Sequence, residues 1–141
     1  MNEIVQEWIV KAEGDYLTAS REVCANPPNY DAVCFHAQQC IEKLLKAILI
    51  AEGKMPPRTH DLTVLDSMLR SVQPDWHWPI ESLRLLSQAA ITFRYPGESA
   101  IKAGRLMIQE INGRIRRECS FTFETTLSGR RYKRLSPNGN H

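Results

Sequence analysis

Several features that define large protein classes are missing from this 141-residue sequence. Its longest apolar run covers only residues 47–51, whereas a membrane-spanning helix needs roughly 20 apolar residues. The first residues contain neither the basic nor the apolar segment of a secretory signal, and the four cysteines include no Cys-x-x-Cys pair. We therefore expect a cytoplasmic protein with reduced, packed thiols and no membrane contact.

Two further absences limit the chemistry. Gly53 and Gly97 stand alone as helix breakers, so the glycine-rich phosphate loop of nucleoside triphosphatases is missing. His36 and Cys40 have the i, i+4 spacing of two metal ligands, but no third or fourth ligand lies near them in the sequence. We therefore expect no metal and no other cofactor.

The charge is nearly balanced overall, at +2, but it is unevenly distributed. From residue 114 onward seven basic and two acidic residues give +5, whereas the first 113 residues carry eleven basic and fourteen acidic residues, or −3. A basic end of this kind is found in phosphate-contacting proteins, but it is more often a solvated tail. Its candidate RNA contacts are Arg130, Arg131, Tyr132, Lys133 and Arg134.

The spacing of apolar residues predicts five helices, at about residues 3–24, 30–52, 62–72, 80–93 and 98–118. Proline pairs and isolated prolines separate them, because proline cannot continue a helix. We therefore expect an all-α, up-and-down bundle over residues 1–118. Residues 119–141 form a basic tail, which is a short hairpin or a disordered segment.

The first two helices have the clearest patterns. The first has apolar residues at steps of three and four, and these are Ile4, Trp8, Ala12, Tyr16, Ala19 and Val23. The second has a longer apolar face, in which Leu45 and Leu49 widen a main stripe formed by Cys34, Ala37, Ile41, Leu44 and Ile48. A polar stripe opposite this face contains His36, Gln39, Lys43 and Lys46. This stripe on the second helix, the α2 stripe, is a solvated face, a dimer rim, or a groove that binds phosphate or RNA.

Three motifs in order along the chain resemble the HEPN domain (higher eukaryotes and prokaryotes nucleotide-binding). They are FHAQQCIEKLLKA at residues 35–47, THDL at 59–62 and FRYP at 93–96, and the resemblance covers roughly residues 3–117. The resemblance implies a helical bundle that is usually dimeric. Members of that family include ribonuclease toxins, partners of small nucleotidyltransferases encoded beside them, and non-catalytic nucleotide- or RNA-binding modules.

Catalytic members of the family use an arginine followed, after four to six residues, by a histidine near the start of the last long helix. The histidine handles the 2′-hydroxyl proton and the arginine stabilises charge on the phosphorus centre. Here the matching arginine is Arg94, but residues 99–101 are serine, alanine and isoleucine. The proton-transfer group is therefore missing from its place, and we expect no catalysis by this motif.

Two pairs of residues allow more than one interpretation. Arg94 can clamp a phosphate while Tyr95 stacks on a base, or Arg94 can pair with Glu42 or Asp15 while Tyr95 shapes the turn. His60 and Asp61 fit a helix-start cap better than a catalytic pair, because adjacent residues point in different directions.

The leading hypothesis is a HEPN-domain binding and partner module for RNA or nucleotide. It would act with a small nucleotidyltransferase, as in toxin–antitoxin pairs, and would not itself be catalytic. The alternative is a metal-independent ribonuclease that uses Arg94 with His36 or His60, and the third is a structural dimerisation bundle. We expect a homodimer, because Leu45, Leu49 and Met107 add apolar surface beyond the main faces.

Overall fold

The described part of the chain consists of helices and the connections between them. The computed structural model describes residues 2–76, 83–84, 86–88 and 101–112. Helix α1 spans Glu3–Val23, α2 Tyr30–Ala51, α3 Leu62–Val72 and α5 Ile101–Glu110, and residues 83–84 and 86–88 are the described part of α4. The predicted all-α bundle is confirmed. The boundary at residue 118 and the tail lie outside the described residues.

Side-chain caps begin the first two helices. Asn2 Oδ1 accepts a hydrogen bond from the Ile4 amide at 2.8 Å and so starts α1. Asn29 Oδ1 accepts from the Ala32 amide at 3.2 Å and starts α2. The Asn29 amide itself donates to Glu22 Oε1 at 2.8 Å, which fastens the end of α1 to the start of α2.

Gly53 ends α2, as the sequence predicts. Its φ of 79° lies in the left-handed region that favours glycine. The Gly53 amide donates to the Ile50 carbonyl at 3.0 Å and the Lys54 amide to the Leu49 carbonyl at 2.9 Å. This pair of bonds is a Schellman motif, which satisfies two carbonyls of the last turn and turns the chain away sharply.

Helix α2 lies at the centre and packs against α1, α3 and α5. The apolar face predicted for it is confirmed, since all seven of its residues are buried. Helices α1 and α2 are antiparallel, because Trp8 lies against Lys46 and Asp15 lies against His36. No helix in the described part of the chain is long and apolar enough to cross a bilayer.

The apolar face of α1 differs from the prediction by a rotation about the helix axis. Ile4 is 51% exposed, while Val5 and Ile9 are buried together with the predicted Ala12. The predicted Trp8 is only partly buried at the edge of the core. The spacing pattern counts the amphipathic rings of Trp8 and Tyr16 as apolar. This moves the centre of the predicted apolar face away from the face that is buried.

The three apolar residues expected to form surplus surface for a dimer do not do so. Leu45, Leu49 and Met107 are all fully buried within the chain itself. Their side chains belong to the core cluster that α2 organises. The expectation of a homodimer therefore rests on the family resemblance alone.

Glycine allows α5 to approach α2 closely. A Cβ added at Gly104 would lie 3.0 Å from Tyr30 Cδ1 and 3.4 Å from Val33 Cγ1. The tyrosine ring is held in place, because Arg105 Nε donates to the Tyr30 hydroxyl at 3.1 Å and the guanidinium lies 5.6 Å from the ring centre. Position 104 therefore has no room for a larger residue without a shift.

We predict that Gly104→Ala lowers the free energy of unfolding. Alanine adds about 1 kcal/mol of helix propensity, but overpacking against a held ring costs about 1–3 kcal/mol. The matched control is Gly14→Ala in α1, where nothing lies within 4 Å of the added Cβ, and which we expect to be stabilising. Denaturant melts of both variants measure the difference, and equal stabilisation by the two would contradict the close approach of α5.

Candidate functional site

A band of polar side chains runs along α2 beside its apolar face. It contains the predicted α2 stripe and also Gln38 and Glu42. Gln38, Glu42 and Lys46 are buried, and the other members are only partly exposed. The interpretation of this stripe as a solvated helix face is therefore wrong.

Asp15 of α1 contacts two residues of the band, His36 and Lys43. Its Oδ1 lies 2.9 Å from His36 Nδ1, and its Oδ2 accepts from Lys43 Nζ. His36 and Lys43 are seven residues apart, which places them on one side of α2 after two helical turns. One carboxylate of α1 thus contacts two basic side chains of α2 and fixes the pairing of the two helices.

Glu42 is the acceptor for a second set of contacts, and its side chain is only 5% exposed. Lys46 Nζ donates to its Oε2 at 3.0 Å, and Gln38 Nε2 donates to its Oε1 at 3.1 Å. His60 Nδ1 lies 2.9 Å from the same Oε1. The Lys46 ammonium also lies 5.8 Å from the centre of the Trp8 ring, so that it is covered by α1.

Gln38 connects the band to the segment that precedes α3. Besides its bond to Glu42, its Nε2 donates to the His60 carbonyl at 3.0 Å, and its Oε1 accepts from Gln39 Nε2 at 2.9 Å. His60 is therefore held at two points, by its backbone and by its ring. The side chain nevertheless remains 78% exposed.

The environment of Glu42 keeps its carboxyl ionised. Burial alone would raise its pKa, but hydrogen bonds from His60, Lys46 and Gln38 and the charge of Lys46 outweigh burial and hold the pKa below its usual value. An ionised carboxylate only accepts hydrogen bonds, so the Nδ1 of His60 must be the donor. In a neutral His60 ring the second nitrogen, Nε2, then carries the lone pair.

The two residues expected to cap a helix have different roles. Asp61 is the N-cap of α3, and its Oδ1 accepts from the Thr63 amide at 2.9 Å. His60 contacts Glu42 instead and takes no part in the cap. The prediction of a helix cap is therefore correct for Asp61 but not for His60, whose imidazole is bound to Glu42.

Arg94, Tyr95 and the five candidates of the tail all lie outside the described residues. Asp15 and Glu42, the carboxylates suggested as partners of Arg94, both have basic partners of their own. The described residues contain no group of three or more side chains that would hold a metal ion.

This network is not predicted from the sequence, which pairs Asp15 or Glu42 with Arg94. The basic partners of these carboxylates on α2, the role of Gln38 and the contact between Glu42 and His60 are all missed. One signal was present, because Glu42 lies between Ile41 and Leu45 on the buried side of α2. A carboxylate at such a position needs partners, since burying an unpaired charge is costly. One of these partners, Lys46, lies one turn later in the same helix and could have been inferred from the sequence. His60 lies in another part of the chain.

The buried cysteine at the start of α2 is unsuited to nucleophilic chemistry. Burial, with a smaller effect of the Asp31 charge, raises the pKa of Cys34 to about 11. The reactive form of cysteine is the thiolate, so this thiol is inert near neutral pH. Cys34 and Cys40 are core residues, while Cys24 is exposed.

We predict that neutral His60 is the Nδ1–H tautomer. The ionised Glu42 requires a donor at 2.9 Å, and the opposite tautomer would place two acceptors against each other. Nitrogen-15 shifts of the imidazole measure this directly, with His60→Gln to assign the signal. A predominant Nε2–H tautomer would contradict the hydrogen bond to Glu42.

We predict that Glu42 makes the folded state sensitive to acid. Because its folded pKa lies below the usual value of 4.5, its stabilising contribution is complete above pH 4.5 and is lost as the pH falls through the folded value. The free energy of unfolding should decline more steeply with acid in the wild type than in Glu42→Gln. Urea melts over a pH series test this, and parallel curves would refute it.

The comparisons with known proteins agree with the fold. A family model, the HEPN domain, matches residues 5–117. No curated protein and no solved structure matches the chain significantly. The matched region contains α2, α3, α5 and all of α1 except its first two residues, together with the charged network on α2. The chain belongs to the HEPN domain family.

Proposed function

We propose that this HEPN-domain protein is a binding and partner module for RNA or nucleotide and does not cleave RNA by itself. One observation carries the proposal. In a chain that matches the family over residues 5–117, positions 99–101 hold serine, alanine and isoleucine where ribonuclease members hold a histidine. Without that group, transfer of the 2′-hydroxyl proton loses a contribution of roughly 10²–10⁴-fold.

The proposed contacts are Arg94, Tyr95 and the basic tail. An arginine beside a tyrosine suits a phosphate and an unpaired base, and the tail adds positive charge that attracts the RNA backbone. Lys43 and Lys46 are less suited to this role than their sequence pattern indicates, because each is paired with a carboxylate. Phosphate binding by Lys46 would require breaking a buried ion pair.

The proposed assembly has two parts, both taken from the family. We propose a homodimer of the bundle over residues 1–118, with residues 119–141 as a separate basic segment. We also propose a small nucleotidyltransferase as the partner chain, as in toxin–antitoxin pairs. The family contains such partner modules, and the missing catalytic histidine favours them over its ribonucleases.

A metal-independent ribonuclease is the second candidate, and a specific observation favours it. His36 and His60 each lie 2.9 Å from a carboxylate oxygen, and a carboxylate that orients an imidazole is a common part of acid–base sites. The third candidate, a structural dimerisation bundle, is favoured by the pairing of Lys43 and Lys46 inside the fold.

We predict that the purified chain binds single-stranded RNA but does not cleave it in metal-free buffer. Deletion of residues 128–141 removes four basic residues, so the affinity should fall and its dependence on salt should flatten. The slope should decrease by roughly 0.7 for each phosphate that the shortened chain no longer neutralises. Affinity over a salt series measures this, and Tyr132→Ala, which keeps the charge, separates stacking from electrostatics.

Two outcomes would contradict this proposal. Cleavage that disappears in Arg94→Ala and also in either His36→Ala or His60→Ala would establish the ribonuclease. Absence of RNA and nucleotide binding in the full chain would leave the dimerisation bundle, and sedimentation would then show a dimer of the 16.2 kDa chain.

A further inference from the structure

The connection between α2 and α3 differs in charge from the band on α2. Lys54, Arg58 and His60 are all exposed there, and the sequence has no acidic residue between Glu52 and Asp61. The basic side chains of α2 are paired with carboxylates, and Lys46 is only 8% exposed. The exposed basic groups of this part of the chain therefore lie on the connection.

The two acidic residues that border the connection are already engaged. Glu52 Oε1 accepts from Gln73 Nε2 at 2.7 Å. Asp61 Oδ1 caps α3 and also accepts from the Thr63 hydroxyl at 2.6 Å. Both carboxylates thus have hydrogen-bond donors outside the connection.

His60 differs from an ordinary exposed histidine because a buried residue orients it. Glu42 contacts its ring at 2.9 Å, and Gln38 holds its carbonyl at 3.0 Å. Glu42 is itself fixed by Lys46 at 3.0 Å. A ligand that contacts this ring meets a side chain whose conformation is already set, so that little rotational freedom is lost on binding.

We propose that residues 54–60 form a phosphate-binding site centred on His60, a proposal that rests on the proposed function. A protonated His60 donates its Nδ1–H to Glu42 and has its Nε2–H available for a phosphate oxygen. Lys54 and Arg58 add two positive charges on the same connection, and a guanidinium can donate two parallel hydrogen bonds to one phosphate. The phosphate belongs to a nucleotide or to the backbone of RNA.

The test compares two probes and two variants of the full chain. AMP offers a terminal phosphate, and a short single-stranded RNA with a 5′-hydroxyl offers only phosphodiesters. The variants are His60→Ala and the double variant Lys54→Ala with Arg58→Ala. The matched control is Lys11→Ala with Arg21→Ala, which removes the same charge from exposed positions on α1.

We expect His60→Ala and the double connection variant each to lose about tenfold in affinity, relative to the control, for at least one probe. The probe that is affected identifies the source of the phosphate. In the wild type, that probe should also shift the imidazole nitrogen-15 signals of His60, which a purely structural histidine would not show. Circular dichroism checks that each variant is folded.

The failures are distinguishable. If the wild type binds RNA or AMP and both connection variants behave like the control, the site at residues 54–60 is wrong and the proposed function stands. If affinity falls but the His60 signals stay unchanged, the central role of His60 is wrong. If the wild type binds neither probe, the proposed function fails together with this site.

Discussion

A buried, ionised carboxylate determines how the polar side of this bundle is arranged. Glu42 lies within the packed surface of α2, where an unpaired charge would be strongly unfavourable. Its oxygens therefore take donors from Lys46, Gln38 and His60. Removal of one partner of such a buried pair typically costs about 3–5 kcal/mol. The position of the segment before α3 depends on this requirement.

Asp15 places a second constraint of the same kind on the other side of the band. It contacts His36 and Lys43, so that a sliding of α1 along α2 by one turn would leave a largely buried carboxylate without its partners. Apolar packing tolerates such a slide better than paired charges do, because dispersion contacts have little directional preference. The core thus supplies most of the burial, while the two carboxylates specify the relative position of the helices.

The sequence predicts the fold better than it predicts the site, and the reason is physical. Periodic apolar residues indicate which side of α2 is buried, and Gly53 indicates its end, because both effects depend on neighbours in the chain. Charge periodicity does not reveal whether Lys46 faces water or a carboxylate. The contact between Glu42 and His60 spans eighteen residues, and only the folded chain brings the two together.

The composition of the charged network has a consequence for long-range electrostatics. With neutral histidines, the two carboxylates and their two lysines sum to zero charge. Their combined potential is that of a set of dipoles, which decays faster with distance than that of a net charge. Beyond a Debye length of about 8–10 Å it exerts almost no pull on an approaching polyanion. These four groups count toward the numbers of acidic and basic residues in the sequence. They nevertheless neither attract nor repel a charged partner during its approach.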